Sequence, residues 1–272
     1  SIRRQRQMCI RDRGNIAFCH ILDDKGKLQI VLEKKNSKKA LDFFNHYIDV
    51  GDFIGVEGMP YKTKRGEISI MAKNVWLLSK AILPLPEKWH GLKDVEERYR
   101  KRYLDLIANE EVKDIFLKRT KIINAIREFL NSKGYIEVDT PVLQEVYGGA
   151  AARPFITYYH AVKQNFFLRI SPELYLKRLL IGNFEKIYEI AKNFRNEGID
   201  ANHNPEFTMI EFYEAYRDYN YMAELTEQLI KFVAEKLGIK KVKWKDKEID
   251  FSKWQKLTMQ EAFKKYTSLS ID

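Results

Sequence analysis

The side chains able to do chemistry crowd into one stretch of this 272-residue chain, from Gly148 to Tyr216. Gly148-Gly149-Ala150-Ala151-Ala152-Arg153-Pro154-Phe155 is a loop of small residues whose backbone can approach a ligand closely. Ser171-Pro172-Glu173-Leu174 reads as a helix start. Pro172 is expected at the first helical position and Glu173 in the first turn, beside the helix's unpaired N–H groups. An extended run over 187–194 then delivers Arg195-Asn196-Glu197 into a loop. The chain returns through His203-Asn204-Pro205-Glu206-Phe207 to Thr208-Met209-Ile210-Glu211-Phe212-Tyr213. Singly, such residues are most often surface ion pairs or core aromatics, and only their joint occurrence in this order points to a site. Other chemistries lack their residues. There is no P-loop and no G-x-G-x-x-G. Five His and two Cys show no zinc spacing, and no Ser/His/Asp set sits in an elbow motif.

The elements that must position these residues follow from hydrophobic periodicity. From residue 15 to about 80 the period is mostly two: Ile16, Phe18 and His20, then Leu28, Ile30 and Leu32, with a turn at Asp23-Asp24-Lys25-Gly26 between them. One short amphipathic helix is expected from Leu41, Phe44, Tyr47 and Ile48, and strands resume over 53–57 and 68–78. Several strands and one helix in under a hundred residues fit a small Greek-key barrel of the OB type. Residues 1–8 fit that barrel poorly, because Arg3-Arg4-Gln5-Arg6-Gln7 offers no alternating apolar face. The expectation is that this stretch is not native to the domain and makes no regular first strand. Residues 81–94, with Pro84 and Pro86, read as an interdomain connection.

Beyond it the period becomes 3.6. Val112, Ile115, Phe116, Ile122, Ile123, Ile126, Phe129 and Leu130 form one apolar stripe, stopped by Gly134. Strands are expected over 135–138, 166–170, 184–191 and 207–213, and helices over 172–181 and 221–237. The fold class is therefore α+β: a barrel over 1–80, then a mainly antiparallel sheet wrapped by helices over 95–272.

Composition agrees. Hydrophobic residues make up 45% of the chain, enough for a core, while 13 Gly and 7 Pro exclude collagen-like and low-complexity classes. Two cysteines cannot build a disulfide framework, and no apolar run approaches the roughly 20 residues of a bilayer span. A soluble, cytoplasmic protein with no membrane partner is expected. Of the net charge of +10, residues 1–90 carry 17 basic and 10 acidic side chains, a bias toward polyanions in the first third.

Phe194-Arg195-Asn196-Glu197 with the downstream His203-Asn204-Pro205-Glu206-Phe207 resembles motif 2 of the class II aminoacyl-tRNA synthetases. Residues 126–141 resemble motif 1. The loop at 148–155 and the run at 172–176, behind an OB domain, resemble the bacterial-type lysyl-tRNA synthetase family rather than its aspartyl or asparaginyl relatives. The resemblance implies ATP-dependent attachment of lysine to tRNA(Lys) through a lysyl-adenylate. It implies Arg195 bridging the α-phosphate and the substrate carboxylate, and His203 at the outer phosphates. Glu197 and Asn204 would hold the nucleotide, and Phe207 would stack on adenine. It implies Glu173 and the Gly149 backbone at the α-amino group, and Glu211 with Tyr213 near the ε-ammonium. Mg²⁺ is implied as a bridge between phosphates, with no protein metal site in this segment. In the barrel it implies Phe18 as a stacking platform, Gln29 and Glu67 reading base edges, and Arg11 on the RNA backbone. It also implies a homodimer, with residues 121–130 contributing.

The family's third motif, a Gly-rich strand and a helix with an ATP-contacting Arg, is not found before Asp272, so a fragment with little or no activity alone is expected. Three other readings compete. In a non-catalytic tRNA- or RNA-binding protein that uses its OB domain, Arg195, Glu197 and Phe207 would have no reason to be together. A lysine-modifying paralogue lacks an OB domain. An aspartyl or asparaginyl enzyme is opposed by the charge of Glu173 and Glu211.

Overall fold

The computed structural model describes residues 3–12, 14–23, 26–63, 66–83, 85, 92–200, 202–267 and 269, with the backbone alone described at 3–12 and 110. The chain divides into two compact units, Ser1–Lys113 and Asp114–Asp272.

In the first unit five strands close a barrel in the order β1-β2-β3-β5-β4: β1 (Arg3–Asp12), β2 (Ile16–Leu22), β3 (Lys27–Glu33), β4 (Phe53–Lys62) and β5 (Ile68–Ser79). Helix α1 (Lys34–Tyr47) interrupts them after β3. Strict alternation along β2 sends Ala17, Cys19 and Ile21 inward, where they meet Ile30, Leu32 and Phe44. Strand β1 corrects the reading of residues 1–8. It pairs with β4 through Arg3↔Val56 to Arg6↔Phe53 and with β2 through Arg6↔Leu22 to Asp12↔Ala17. Backbone pairing on both sides makes this strand, which a search for alternating apolar residues cannot see; Ile2 and the Gln5 side chain lie outside the described residues. Two short helices follow, α2 (Val95–Arg100) and α3 (Arg102–Ala108). They enclose Asp105, which accepts from Arg98 at 2.8 Å, Asn109 at 2.6 Å and Arg102.

The long helix α4 (Glu110–Ser132) carries the stripe foreseen from sequence, and Gly134 at φ +82° ends it. The Tyr135 N–H donates to the Leu130 carbonyl and the Gly134 N–H to that of Asn131, a Schellman closure that packs Tyr135 beside Leu130. The stripe is covered unevenly: Val112, Phe129 and Leu130 are buried, whereas Ile115, Phe116 and Ile122 are exposed, as is the neighbouring Leu117.

Strands β6 (Ile136–Glu137), β7 (Leu143–Gln144), β8 (Ile156–Tyr159) and β9 (Gln164–Leu168) are followed by helix α5 (Glu173–Ile181). Then come β10 (Lys186–Phe194), β11 (Glu206–Glu214), α6 (Tyr219–Lys236), β12 (Lys241–Trp244), β13 (Lys247–Asp250) and α7 (Met259–Thr267). The strands form two three-stranded sheets, β11-β10-β6 and β7-β9-β8, and the hairpin β12-β13. All pairings are antiparallel except β10 with β6. One face of β10-β11, through Tyr188, Ile190, Ile210 and Phe212, joins α4 and α6 in the core. At the β11 end the buried Glu214 carboxylate is opposed by desolvation. Hydrogen bonds from Tyr135, Arg217, Lys186 and Tyr221 nevertheless hold it down to about 2.

Candidate functional site

The other face of the hairpin carries the candidate site residues. The register runs from Lys186↔Glu214 to Phe194↔Glu206 without a bulge. Alternation therefore sets Glu189, Ala191 and Asn193 opposite Glu211, Met209 and Phe207, all on the side away from the core. Arg195 extends this face, its N–H donating to the Pro205 carbonyl at 2.9 Å. Its guanidinium carbon stands 5.2 Å from the centre of the Phe207 ring, so one face of that ring is already covered by the cation. The Arg195 side chain is half-buried rather than turned outward.

The acidic end is assembled by Ser171. Its hydroxyl donates to Glu211 Oε1 at 2.7 Å and accepts the Glu173 N–H at 3.1 Å. The Tyr213 hydroxyl donates to Glu211 Oε2 at 2.8 Å, and its own pKa is pushed up by burial and then by that neighbouring carboxylate. Both donors to Glu211 are neutral hydroxyls, and among the described residues no Lys, Arg or His pairs with it. This leaves the carboxylate without a cationic partner among the described residues. Glu173 opens α5 and is held by Lys177 at 2.6 Å. Pro172 takes the N-cap rather than the first helical position expected from sequence. Gly149, at φ +89°, lies against this cluster: a Cβ there would stand 2.8 Å from both the Glu173 Cβ and the Ser171 Oγ. The small-residue loop is thus required by close approach.

On this same face Glu189, opposite Glu211, joins a buried polar cluster. Arg169 Nη1 meets Glu189 Oε1 at 2.6 Å and the Thr140 carbonyl at 3.0 Å, its Nε donates to the Lys192 carbonyl, and Thr140 Oγ1 donates to Glu189 Oε2. At the open end the Asn196 N–H donates to the Arg153 carbonyl at 2.8 Å, and the Arg153 N–H to Glu197 Oε1 at 3.2 Å. These two bonds clip the 148–155 loop to the hairpin tip. A cleft of about 660 Å³ opens there, lined by Tyr147, Ala151, Ala152, Arg153, Asn196 and Glu197. His203 is exposed and turned toward Asp200, Nδ1 to Oδ2 2.7 Å, and Asn204 is exposed beside it. Among the described residues neither is hydrogen-bonded to Arg195. The structure therefore brings Gly149, Glu173, Glu211 and Tyr213 into one cluster and Arg195 with Phe207 into another on the same face. Glu197 stands at the clip, and His203 and Asn204 stand on the exposed turn.

On the barrel, Phe18 and His20 point outward from β2, with Gln29 on the neighbouring strand facing His20 in the ladder. Gln29 Nε2 donates to Glu67 Oε2 at 2.9 Å, Ser69 Oγ donates to Gln29 Oε1 at 2.8 Å, and His20 Nε2 lies 3.3 Å from Glu67 Oε1. The half-buried Phe18 stands on the same outer face as Gln29. The backbone of Arg11 pairs with Phe18, while its side chain lies outside the described residues.

Comparison with known proteins decides the family. A family model described as tRNA synthetases class II (D, K and N) matches residues 94–271, and one described as an OB-fold nucleic acid binding domain matches residues 1–78. This chain belongs to the class II tRNA synthetases. It is 51% identical to a lysine--tRNA ligase of Methanoculleus marisnigri over 96% of this chain and 52% of that protein. It is 51% identical to the Clostridium tetani lysine--tRNA ligase over 98% and 54%, and 52% identical to lysine--tRNA ligase 2 of Methanosarcina mazei over 96% and 52%. The chain spans about half the length of these curated relatives. Within this class II synthetase chain, sequence reasoning passed over Ser171, Arg153, His20 and Ser69 as members of the two sites. Ser171 carried a signal all the same, since it stands two residues before Glu173 at the helix entry, where a hydroxyl can bond the backbone.

Proposed function

We propose that this protein acts as a lysine--tRNA ligase. Lysine's carboxylate oxygen attacks the α-phosphorus of ATP, pyrophosphate leaves, and the lysyl group then passes from the adenylate to a ribose hydroxyl of tRNA(Lys), releasing AMP. The observation that carries the reading is the polarity of one hairpin face. Arg195 with Phe207 stands at one end, and Glu211 with Tyr213 at the other, four residues or about 13 Å further along the strand. With side chains reaching inward from both ends, that spacing suits a ligand with an anion at one end and an ammonium at the other. Lysyl-adenylate is such a ligand. Attack on phosphorus needs alignment and charge stabilisation rather than a protein nucleophile. The planar donor fork of Arg195 is suited to bridge carboxylate and α-phosphate. Adenine would stack on the ring face of Phe207 that Arg195 leaves open, with Glu197 and Asn204 holding the nucleotide and His203 swinging from Asp200 to the outer phosphates. Glu173 and the Gly149 backbone would take the α-amino group. Glu211, bonded only by hydroxyls, would take the ε-ammonium and reject neutral side chains.

Use of ATP and a divalent metal belongs to the class II family in general. Among the described residues no group of three His, Cys, Asp or Glu side chains could hold a metal ion. Mg²⁺ would be carried chiefly by phosphate oxygens, and no step here runs through it. We further propose that residues 1–80 bind the anticodon through Phe18, Gln29, Glu67 and Arg11, with 81–94 as connection and 95–272 as the catalytic domain. We also propose that two copies pair with residues 121–130 of α4 contributing, and that the protein works in the cytoplasm. No helix of the described residues is long and apolar enough to cross a membrane.

The test is binding of the non-hydrolysable analogue 5′-O-(N-L-lysyl)sulfamoyladenosine against its aspartyl and asparaginyl counterparts, with lysine-dependent ATP–pyrophosphate exchange as the activity assay. Selective binding of the lysyl compound with slow exchange by this chain alone is expected. Binding of tRNA without any adenylate analogue would favour the RNA-binding alternative.

A further inference from the structure

Asn193 is fully buried on the site face, and neither its amide nitrogen nor its carbonyl oxygen has a hydrogen-bond partner. The Nε of Arg195 is buried and unpartnered as well, and these three atoms are the whole of that class among the described residues. Native folds pair nearly all such groups, because an unmet buried donor or acceptor forfeits its hydration with nothing in return. The neighbouring buried polar groups are satisfied: Arg169, Thr140 and Glu189 bond one another and the Lys192 carbonyl. The fold therefore supplies partners beside Asn193 but not to it.

Position links the orphans. Asn193 and Arg195 are two residues apart on one strand face, about 6.6 Å along the chain. Phe207 stands directly across from Asn193 in the ladder and carries the Arg195 guanidinium over its ring at 5.2 Å. The arginine thus folds back along the strand toward Asn193 instead of extending off the hairpin tip. An arginine that grips two anionic groups with its Nη atoms still has an Nε–H to place. In a buried setting that hydrogen needs an acceptor, and a neutral amide oxygen serves without the repulsion a carboxylate would exert on the anion.

We propose that Asn193 is a positioning residue for Arg195. When an adenylate engages the guanidinium, Asn193 Oδ1 accepts the Arg195 Nε–H and fixes the plane of the fork so that both Nη groups face the anion. This rests on the lysyl-adenylate reading of the site.

The experiment uses the 272-residue chain with the lysyl sulfamoyl analogue. In the wild-type complex the ¹⁵N-resolved Nε–H signal of Arg195, assigned by its loss in Arg195→Lys, should be protected from solvent exchange. In Asn193→Leu, which replaces the orphan amide by an apolar group of similar size, the free chain should melt at or above the wild-type temperature. Its affinity for the analogue should fall by about 10- to 100-fold, as for loss of a hydrogen bond to a charged group. Asn193→Asp keeps an acceptor and should retain the protected signal while binding the anion more weakly. Equal affinity of wild type and Asn193→Leu, or an exposed Nε–H in the wild-type complex, overturns the proposal and leaves the ligase reading standing; the wild-type spectrum decides alone should Asn193→Leu not fold. Absence of analogue binding by the wild-type chain overturns the ligase reading itself, and this inference with it.

Discussion

Replacing Gly149 with alanine should damage both stability and ligand binding, and Gly134 provides the control that separates the causes. At Gly149 a Cβ would stand 2.8 Å from the Glu173 Cβ, 2.8 Å from Ser171 Oγ and 3.1 Å from Ser171 Cβ, on a backbone at φ +89°. At Gly134, φ +82°, the same Cβ would meet nothing within 4 Å. Holding an L-residue in the left-handed region costs roughly 1–2 kcal/mol, which Gly134→Ala should show alone. Overpacking adds roughly 1–3 kcal/mol, so Gly149→Ala should lose about 2–5 kcal/mol. At about 2–4 °C per kcal/mol for a unit of this size, that lowers the melting temperature by about 4–20 °C. Relief of the clash must move Ser171, and with it the 2.7 Å hydrogen bond to Glu211. Calorimetry should therefore find the lysyl analogue bound at least tenfold more weakly by Gly149→Ala and unchanged by Gly134→Ala. Equal melting temperatures for the two variants, or wild-type affinity in Gly149→Ala, would refute the claim that this glycine is required by close approach to the acidic cluster.

Arg169→Met leaves Glu189, 3% exposed, without its cation and should cost about 3–5 kcal/mol in chemical denaturation, with Arg169→Met/Glu189→Leu recovering most of the loss. Glu214, held down to about 2 against an ordinary 4.5, contributes up to about 3 kcal/mol of stability. That stability is fully present above about pH 4.5 and lost as the pH falls toward 2, so Glu214→Gln should flatten the acid limb of a stability–pH profile and lower the plateau. Phe18→Ala should weaken binding of an anticodon stem-loop by about 1–3 kcal/mol without changing the slope of affinity against salt, because it removes a stack and no phosphate contact. A change in that slope measured by fluorescence anisotropy would count against the stacking role.

The hairpin of the site was legible because Arg195-Asn196-Glu197 and the 203–213 run combine a turn with period-two flanks. The end of α4 was legible because Gly134 follows its stripe. Three features were hidden, each for a physical reason. Strand β1 is made by backbone pairing on both sides and shows no apolar rhythm. The β12-β13 hairpin turns through Lys245 at φ 53° and Asp246, without the Asn-Gly or Asp-Gly that normally announces such a turn. The Ser171–Glu211 bond joins residues 40 apart, and the Gly149–Glu173 contact closes a loop of more than twenty. No local pattern encodes such partners. Local rules placed two strands here, and only the observed pairing of Glu189 with Glu211 fixes the face on which each hairpin residue lies.

That alternation makes the hairpin intolerant of changes in strand length. Deleting or inserting one residue within β10 or β11 would exchange the two faces beyond that point, driving Glu189 or Glu211 into the core and presenting Ile190 or Phe212 to the ligand. The tip between Phe194 and Glu206 has no strand phase to keep, and is held instead by Arg195 to Pro205, by His203 to Asp200 and by its clip to Arg153. Natural variation and engineered insertions should accordingly gather at Gly198 and Ile199, ahead of the Asp200–His203 turn, where a graft could retune nucleotide contacts while the strands keep their phase.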